Sequence, residues 1–191
     1  SRAFSDGHQN PMTLQDFLVA YRTRCRLLVE IKNRDWESRS RHQLKMRQTL
    51  DLIGKNPDHQ IIVSSFNLAS LIDAHDCRSD FPLMYNTESD QSITDVRKVN
   101  AVHPFLHGFC LPIDIIDLEI VGLLRDHRKC IGVYTCNSEM QINKALQLGV
   151  DILISDFPQK ALIIRERREE ILLHLRVNLF ICMYVSTDYT A

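Results

Sequence analysis

The sequence lacks the features that identify several common classes of protein. Its 23 lysine and arginine residues nearly balance 24 aspartate and glutamate residues, and the formal net charge of −1 predicts neither a basic nucleic-acid-binding face nor an acidic tail. No apolar run reaches the roughly 18 residues that a membrane helix requires. Residues 1–7 have no apolar core, which argues against a signal peptide, and the absence of an initial methionine suggests a fragment or a processed form.

The spacing of the cysteines argues against two further kinds of protein. No Cys-x-x-Cys motif is present, so the six cysteines predict neither a zinc site nor a disulfide framework. We expect reduced thiols, in the core or on the surface, of a cytoplasmic protein. These residues are Cys25, Cys77, Cys110, Cys130, Cys136 and Cys182.

Apolar runs typical of buried strands alternate along the chain with helical patterns. Short runs of mainly apolar, often branched residues predict six strands, at residues 27–32, 61–66, 82–86, 99–103, 130–135 and 151–156. Apolar residues at helical spacing predict helices at 13–24, 44–53, 68–76, 114–127, 139–148 and 159–175. Polar loops are expected at 33–41 and at 87–98, the second with or without one helical turn. Strands that alternate with helices and are apolar on both faces predict a parallel sheet.

Two architectures contain such a sheet: a doubly wound open sheet and a (β/α) barrel. The first predicts a glycine-rich phosphate loop after an early strand, and the sequence has neither G-x-G-x-x-G nor a P-loop. The second predicts polar, chemically useful residues where several strands end. Such residues follow the predicted strands, so the sequence favours the barrel. They are Glu30 and Lys32, Ser65 and Phe66, Tyr85 and Asn86, His103, Tyr134 and Asn137, and Asp156.

A charged pair stands at the end of the first predicted strand. Glu30 and Lys32 are two residues apart, so on a strand their side chains point to the same face. A buried charged pair is costly unless something compensates it, and a bound metal or phosphate would do so. Glutamate is a hard oxygen ligand and lysine binds anions. The alternative is a strand end with two solvated charges.

Five short motifs follow one another along the chain. They are Pro11-x-Thr13-Leu14, Glu30-Ile31-Lys32, Ser64-Ser65-Phe66, Tyr134-Thr135-x-Asn137 and Gly149-Val150-Asp151-x-x-Ile154-Ser155-Asp156. Each motif alone is weak, whereas five in this order are specific. Their order and spacing resemble the C-terminal three quarters of a glycerophosphodiester phosphodiesterase domain, from about Pro11 to Pro158.

The resemblance implies a (β/α) TIM barrel of the phospholipase-C-like phosphodiesterase type, here lacking the first two of its eight strands. It also implies metal-dependent hydrolysis of a glycerophosphodiester to glycerol 3-phosphate and an alcohol, with magnesium or calcium as the ion. By the same resemblance, Glu30 is a metal ligand and Lys32 contacts the phosphate. The expected substrate-binding residues are Ser65, Phe66, Tyr134 and Asn137, and the two aromatic ones would wall the glycerol side of the pocket.

Several motifs of that family have no match in this chain. In the family, His-Arg ends the first strand, Glu-x-Asp ends the second, and a His-Asp pair follows. His75-Asp76 spells the last motif but lies within a predicted helix, and His8 lies in a loop with no strand before it. His103 and His107 could reach the strand-end face, although a loop histidine is more often solvated. We therefore expect a truncated member that binds divalent metal weakly and is inactive in isolation.

The expected organisation is a partial barrel over residues 1–175 and an apolar tail over residues 176–191. The tail either pairs one barrel edge as an added strand or is an aggregation-prone remnant. Open edges also predict self-association. Two functions stay open: a phosphodiesterase that acts on a small-molecule glycerophosphodiester, and a non-catalytic barrel remnant that binds a phosphorylated ligand or a partner protein.

Overall fold

The computed structural model describes residues 12–171, which form six strands, seven α-helices and one 3-10 turn at Pro57–His59. The strands are β1 Leu27–Glu30, β2 Ile61–Ser65, β3 Leu83–Asn86, β4 Gly108–Pro112, β5 Cys130–Tyr134 and β6 Ile152–Leu153. The helices are α1 Leu14–Tyr21, α2 Arg39–Ile53, α3 Leu68–Cys77, α4 Ile93–Val102, α5 Leu118–Asp126, α6 Glu139–Leu148 and α7 Pro158–Ile171.

The six strands are parallel and lie in chain order in one sheet. A helix connects each strand to the next, as parallel pairing requires a crossover connection. The sheet curls, so the predicted barrel is confirmed as a partial TIM barrel of six strands among the described residues. All carboxyl ends of the strands therefore meet at one end of the barrel, which is where parallel-barrel proteins place their chemistry.

The two faces of the sheet bury different sets of side chains. The outer face packs against the helices in a large apolar core that includes Val29, Val63 and Phe109. The inner face carries a smaller apolar cluster, made of Leu28, Ile62, Met84, Cys110, Ile152 and Ile154. Two residues farther along β1, β2 and β3, the same inner face carries Glu30, Ser64 and Asn86, all buried. Polar side chains thus replace apolar ones towards the carboxyl end of the strands.

The predicted fourth strand at 99–103 is wrong. Residues 93–102 form α4, which begins with a capping box between Ser92 and Asp95. Val96 and Asn100 are buried one helical turn apart, as the inward face of a helix requires. The predicted loop at 87–98 ends at Ser92, because the one helical turn that was allowed there is the start of α4. Branched Val99 and Val102 belong to this helix, which tertiary packing stabilises.

The actual fourth strand is β4, in a stretch for which the sequence predicted no strand. A Cβ on Gly108 would stand 2.0 Å from the backbone oxygen of Cys130, so only glycine fits at this approach of β4 to β5. Phe109 and Leu111 are fully buried on the outer face. The next helix starts at Leu118 rather than at residue 114, because the Asp117 side chain accepts from the Ile120 N–H and caps it.

Other helix ends agree with or extend the predictions. Thr13 is confirmed as the N-cap of α1, since its side chain accepts from the Asp16 N–H. Gly149 ends α6 with a φ of 65°, in the left-handed region that favours glycine. Ser38 caps α2, which begins inside the predicted loop at 33–41. The predicted tail at 176–191, together with His8 and Cys182, lies outside the described residues.

Two predictions from composition hold for the residues that the structure describes. The five cysteines among them are free thiols. Burial raises the pKa of Cys130 and that of Cys136 to about 12, so neither forms a thiolate readily. No helix within residues 12–171 has both the length and the apolar character that crossing a bilayer demands.

Candidate functional site

An open cleft of about 430 Å³ lies where the first three strands end. Residues after β1 and β2 line it, and Glu88 after β3 also reaches it. Its lining residues include Glu30, Lys32, Arg34, His42, Phe66 and Glu88. The cleft thus brings together three residues predicted from the sequence, Glu30, Lys32 and Phe66, and residues that sequence reasoning missed.

Glu30 is a buried carboxylate at the edge of this cleft. It is 6% exposed, so the alternative of a solvated strand-end charge is wrong for this residue. Burial raises the pKa of Glu30 above its usual value, Lys32 opposes the shift, and the negative charge of Glu88 adds to it. A carboxylate held this way gains free energy from any cation that enters the cleft.

A buried ion pair fixes the loop that carries Lys32. Lys45 Nζ donates to Glu37 Oε2 at 2.5 Å and to the backbone oxygen of Lys32 at 2.6 Å. Glu37 Oε2 also accepts from the Arg34 N–H at 2.9 Å. The hydrogen bond from Lys45 lowers the pKa of Glu37, which keeps this carboxylate charged. His42 Nε2 lies 3.2 Å from the backbone oxygen of Arg34.

Sequence reasoning missed this network because its members lie on a loop and on the middle of a helix. Neither Glu37 nor Lys45 lies near the end of a predicted strand, and their pairing depends on how α2 packs over the loop. Glu88 did carry a usable signal, because it follows β3 by two residues, just as Lys32 follows β1. A search for charged residues just beyond each strand would have found it.

The two predicted aromatic residues meet in space. The rings of Phe66 and Tyr134 are in edge-to-face contact, with centroids 5.7 Å apart. Tyr134 packs on the inner apolar cluster, and its hydroxyl donates to the backbone oxygen of Thr87. This bond anchors the loop after β3, which carries Glu88. The aromatic pair therefore joins the ends of β2, β3 and β5.

The hydroxyl of Ser65 makes its hydrogen bonds with backbone groups of the protein. Its Oγ donates to the backbone oxygen of Ile31 at 2.8 Å and accepts from the Asn67 N–H at 3.1 Å, and the residue is fully buried. The inner face instead presents Ser64, the register partner of Glu30. Asn86 Nδ2 lies 3.5 Å from Ser64 Oγ. Substrate binding by Ser65 stays a prediction, and the geometry gives its hydroxyl a role in joining β1 to β2.

Asn137 also makes its contacts within the protein. Its Nδ2 donates to Asp156 Oδ2 at 2.8 Å, and its Oδ1 accepts from the Asp156 N–H at 3.0 Å and faces Ser155 Oγ at 3.3 Å. The Asn137 backbone oxygen accepts from Lys160 Nζ at 3.1 Å. Asn137 thus ties the loop after β5 to the loop after β6, and direct contact with a substrate stays a prediction.

The expectation that His103 and His107 reach the strand-end face is wrong. His107 donates its N–H to the backbone oxygen of Leu83, the first residue of β3, and its own oxygen accepts from Cys130, the first residue of β5. Both histidines therefore lie at the amino ends of the strands, opposite the cleft. Burial lowers the pKa of His107. His75 belongs to α3, as predicted, and its ring stacks on that of Phe105 with centroids 4.2 Å apart.

The described residues do not complete a divalent-metal site. Carboxylates of Glu30, Asp35 and Glu88 all line the cleft. Within residues 12–171, however, no three side chains of histidine, cysteine, aspartate or glutamate come close enough together to hold one ion. Magnesium and calcium take six or more oxygen ligands, so these residues alone do not fit a resident ion.

A family model and two curated relatives point to one family. The model of the glycerophosphoryl diester phosphodiesterase family matches residues 2–160. A glycerophosphodiester phosphodiesterase of Bacillus altitudinis is 28% identical over 159 residues, which are 78% of this chain and 59% of the relative. One of Bacillus subtilis (strain 168) is 24% identical over 150 residues, which are 76% of this chain and 51% of the relative. This chain thus spans well under two thirds of each relative's length.

A solved structure shows a similar fold. It is that of an Oleispira antarctica phosphodiesterase in complex with the product sn-glycerol-3-phosphate. The TM-score is 0.60 and the sequence identity is 19%, over 72% of this chain and 53% of that one. At this identity the likeness concerns the fold alone, and it agrees with the partial barrel described above.

Proposed function

This chain belongs to the glycerophosphoryl diester phosphodiesterase family, and we propose that its cleft is part of a site that hydrolyses a glycerophosphodiester to glycerol 3-phosphate and an alcohol. The observation that carries the proposal is the position of Glu30 and Lys32, together in the cleft at the end of β1. A phosphodiester carries one negative charge, which a lysine ammonium attracts and a buried carboxylate alone repels.

Lys32 is the proposed phosphate-binding residue. Its backbone oxygen is fixed by Lys45, so the loop presents the side chain from a defined position. An ammonium held next to the phosphate favours the extra negative charge that develops as the phosphorus–oxygen bond breaks. Phe66, which also lines the cleft, would cover the substrate, with Tyr134 supporting its ring.

Glu30 is the proposed contribution of this chain to cation binding. Its pKa is raised because Lys32 compensates its burial only in part, which favours a further cation as partner. Because the described residues do not complete a magnesium or calcium site, we expect weak metal binding by the chain itself.

Ser65 and Asn137 are proposed to act as positioning residues. The hydroxyl of Ser65 joins the ends of β1 and β2, on which Glu30 and Phe66 depend. The amide of Asn137 joins the loops after β5 and β6. A cytoplasmic location and self-association through the sheet edges remain predictions from the sequence.

A binding function without catalysis is the second candidate. The observation that favours it is the place of His103 and His107, at the end of the barrel opposite the cleft. Phosphodiester hydrolysis needs groups that move protons, and these two histidines are not available for it. The cleft would then bind a phosphorylated ligand through Lys32 and leave it intact.

A calorimetric titration with glycerol 3-phosphate separates the candidates when it is paired with an assay for glycerol 3-phosphate release from glycerophosphocholine. We expect binding that Lys32→Ala weakens about tenfold. Lys55→Ala is the matched control, because Lys55 precedes β2 at the opposite end of the barrel. Binding and release that both depend on Lys32 support hydrolysis, and binding without release supports the second candidate. Equal effects of the two substitutions would overturn both.

A further inference from the structure

One histidine reaches the cleft from the first turn of α2. Of the histidines that the structure describes, His42 alone lines the cleft, together with Glu30 and Lys32. Its position near the start of α2 places it at the carboxyl end of the barrel, because this helix follows β1. The His42 side chain is 14% exposed, so the ring is held by the protein and still borders the cleft.

The hydrogen bond of His42 determines which ring nitrogen carries the proton. Nε2 lies 3.2 Å from the backbone oxygen of Arg34, and a carbonyl oxygen can only accept, so Nε2 carries the hydrogen and donates. A neutral imidazole has one N–H, and therefore Nδ1 holds the lone pair. Within residues 12–171, Nδ1 has no hydrogen-bond partner. The nitrogen that is left for a ligand in the cleft is thus the basic one.

A fixed carboxylate stands beside the same ring. Glu37 Oε2 lies 3.6 Å from His42 Nε2, too far for a good hydrogen bond but close enough for its negative charge to stabilise a positive ring. Hydrogen bonds from Lys45 Nζ and from the Arg34 N–H hold this oxygen in place. Enzymes orient a histidine base in this way, with an acceptor on one nitrogen and the other nitrogen directed to the reacting group.

We propose that His42 transfers protons in the cleft, with Nδ1 as the general base for the water that attacks the phosphodiester. The inference rests on the proposed hydrolysis, for which His103 and His107 supply no base. Nδ1 takes a proton from water as the water oxygen forms its bond to phosphorus. The bond from phosphorus to the alcohol oxygen breaks, and its electron pair stays on that oxygen, which takes a proton from solvent water. The His42 imidazolium then returns its proton to the solvent.

His42→Gln separates proton transfer from support of the loop. The side-chain amide of glutamine can still donate to the Arg34 oxygen, but it cannot take up a proton at neutral pH. We expect release of glycerol 3-phosphate from glycerophosphocholine to fall about 100-fold or more. Calorimetric titration with glycerol 3-phosphate should give an affinity within about twofold of the wild type, because Lys32 is unchanged.

His127→Gln is the matched control. Nδ1 of His127 also lies close to one backbone oxygen, that of Leu123, at 2.9 Å. His127 precedes β5 at the opposite end of the barrel, so its substitution should change neither release nor binding. In a third variant, His42→Ala, imidazole added to the solution should restore part of the release, since it can enter the space left by the ring and act as the base.

Two further measurements keep the test independent of how the variants fold. Circular dichroism checks the fold of each variant. Nitrogen-15 NMR of the wild type should show the Nε2–H form of neutral His42, and an Nδ1–H form would overturn the proposal.

The outcomes distinguish this inference from the proposed function. Release that His42→Gln leaves unchanged would overturn the role of His42 and leave hydrolysis standing. Loss of binding together with release, or no rescue of His42→Ala by imidazole, would show that His42 only supports the loop. A wild type that binds glycerol 3-phosphate and releases none from glycerophosphocholine would overturn hydrolysis and this inference together.

Discussion

The ring centroids of Phe66 and Tyr134 lie 5.7 Å apart, with the ring planes at 82°. The two residues stand at the ends of β2 and β5, which are not neighbours in the sheet. Phe66 follows β2 and Tyr134 ends β5, with β3 and β4 between them. Across a flat sheet these positions would be about 14 Å apart, since neighbouring strands are spaced by about 4.8 Å. The contact therefore exists because the sheet curls, and barrel curvature brings residues of distant motifs to one site.

Removing Lys45 should destabilise the protein strongly. The side chains of Lys45 and Glu37 are 7% and 6% exposed, so Lys45→Met leaves a buried carboxylate with only its longer contacts to His42 and Arg41, at 3.6 and 3.7 Å. We expect the free energy of unfolding to fall by about 3 kcal/mol in urea denaturation at neutral pH. The double variant Lys45→Met/Glu37→Gln should recover much of this loss, and the exposed control Lys55→Met should change stability by less than about 0.5 kcal/mol.

The pH dependence of this pair has a definite sign. The hydrogen bond from Lys45 lowers the pKa of Glu37 in the folded state. A lowered pKa contributes stability above the ordinary glutamate pKa, and this stability is lost as the pH falls through the folded-state pKa. The deficit of Lys45→Met should therefore shrink in acid. A deficit that is the same at all pH values would show that lost packing, rather than charge, causes it.

Glu30→Gln should stabilise the protein at neutral and higher pH. Burial raises the pKa of Glu30, so its contribution to stability is fully present below the unfolded-state pKa and is lost as the pH rises through the folded-state pKa. We expect the variant to unfold at higher urea concentration than the wild type at pH 8, in the presence of a chelator. The difference should vanish below about pH 4.

Glu119→Gln is the control for this experiment, because Glu119 is an exposed carboxylate whose contact with Arg97 is 3.8 Å long. Its substitution should change stability by less than about 0.5 kcal/mol. A Glu30→Gln variant that is less stable than the wild type at pH 8 would contradict the uncompensated burial of this carboxylate.

Two glycine substitutions should have opposite effects. Gly108→Ala places a methyl group 2.0 Å from the backbone oxygen of Cys130, so β4 and β5 must separate locally. We expect a loss of about 3 kcal/mol or more, or a failure to fold. Gly122→Ala meets nothing within 4 Å inside α5 and should raise the stability by up to about 1 kcal/mol. Thermal unfolding of both variants checks the pair, and a neutral Gly108→Ala would refute the close approach.

The sequence predicted best those features that depend on a single strand and on the residues at its carboxyl end. Leu27, Leu28 and Val29 identify a buried strand by themselves, and strand geometry places Leu28 and Glu30 on the same face. The predicted strand was too long at its end, because β1 stops at Glu30 and Lys32 lies in the loop after it. The branched run around Val99 was ambiguous, because such residues occur in strands and in helices whose packing overrides propensity.

The rest could not be predicted because it depends on contacts between distant segments. In the sequence Gly108 resembles a loop residue. Only the structure shows that a glycine is required there, because the backbone of Cys130 on the next strand comes so close. Ser64 and Ser65 are adjacent in the sequence, and only the strand register shows that Ser64 pairs with Glu30 on the inner face. In the sequence nothing distinguishes Lys45 from other helix lysines. Its role depends on the packing of α2 over the loop that contains Lys32.

The order of the strands in the sheet also determines how firmly Glu30 is held. Within the described sheet β1 pairs with β2 alone, whereas β3 is hydrogen-bonded on both sides. Local opening of a fold begins where the fewest contacts must break, which here means an outer strand. Besides its packing on the core, the segment with the charged pair is held by pairing with one strand, by the Ser65 hydroxyl bond to Ile31 and by the Lys45 clamp. We therefore expect loss of this clamp to increase thermal fluctuation in the cleft more than in the barrel interior.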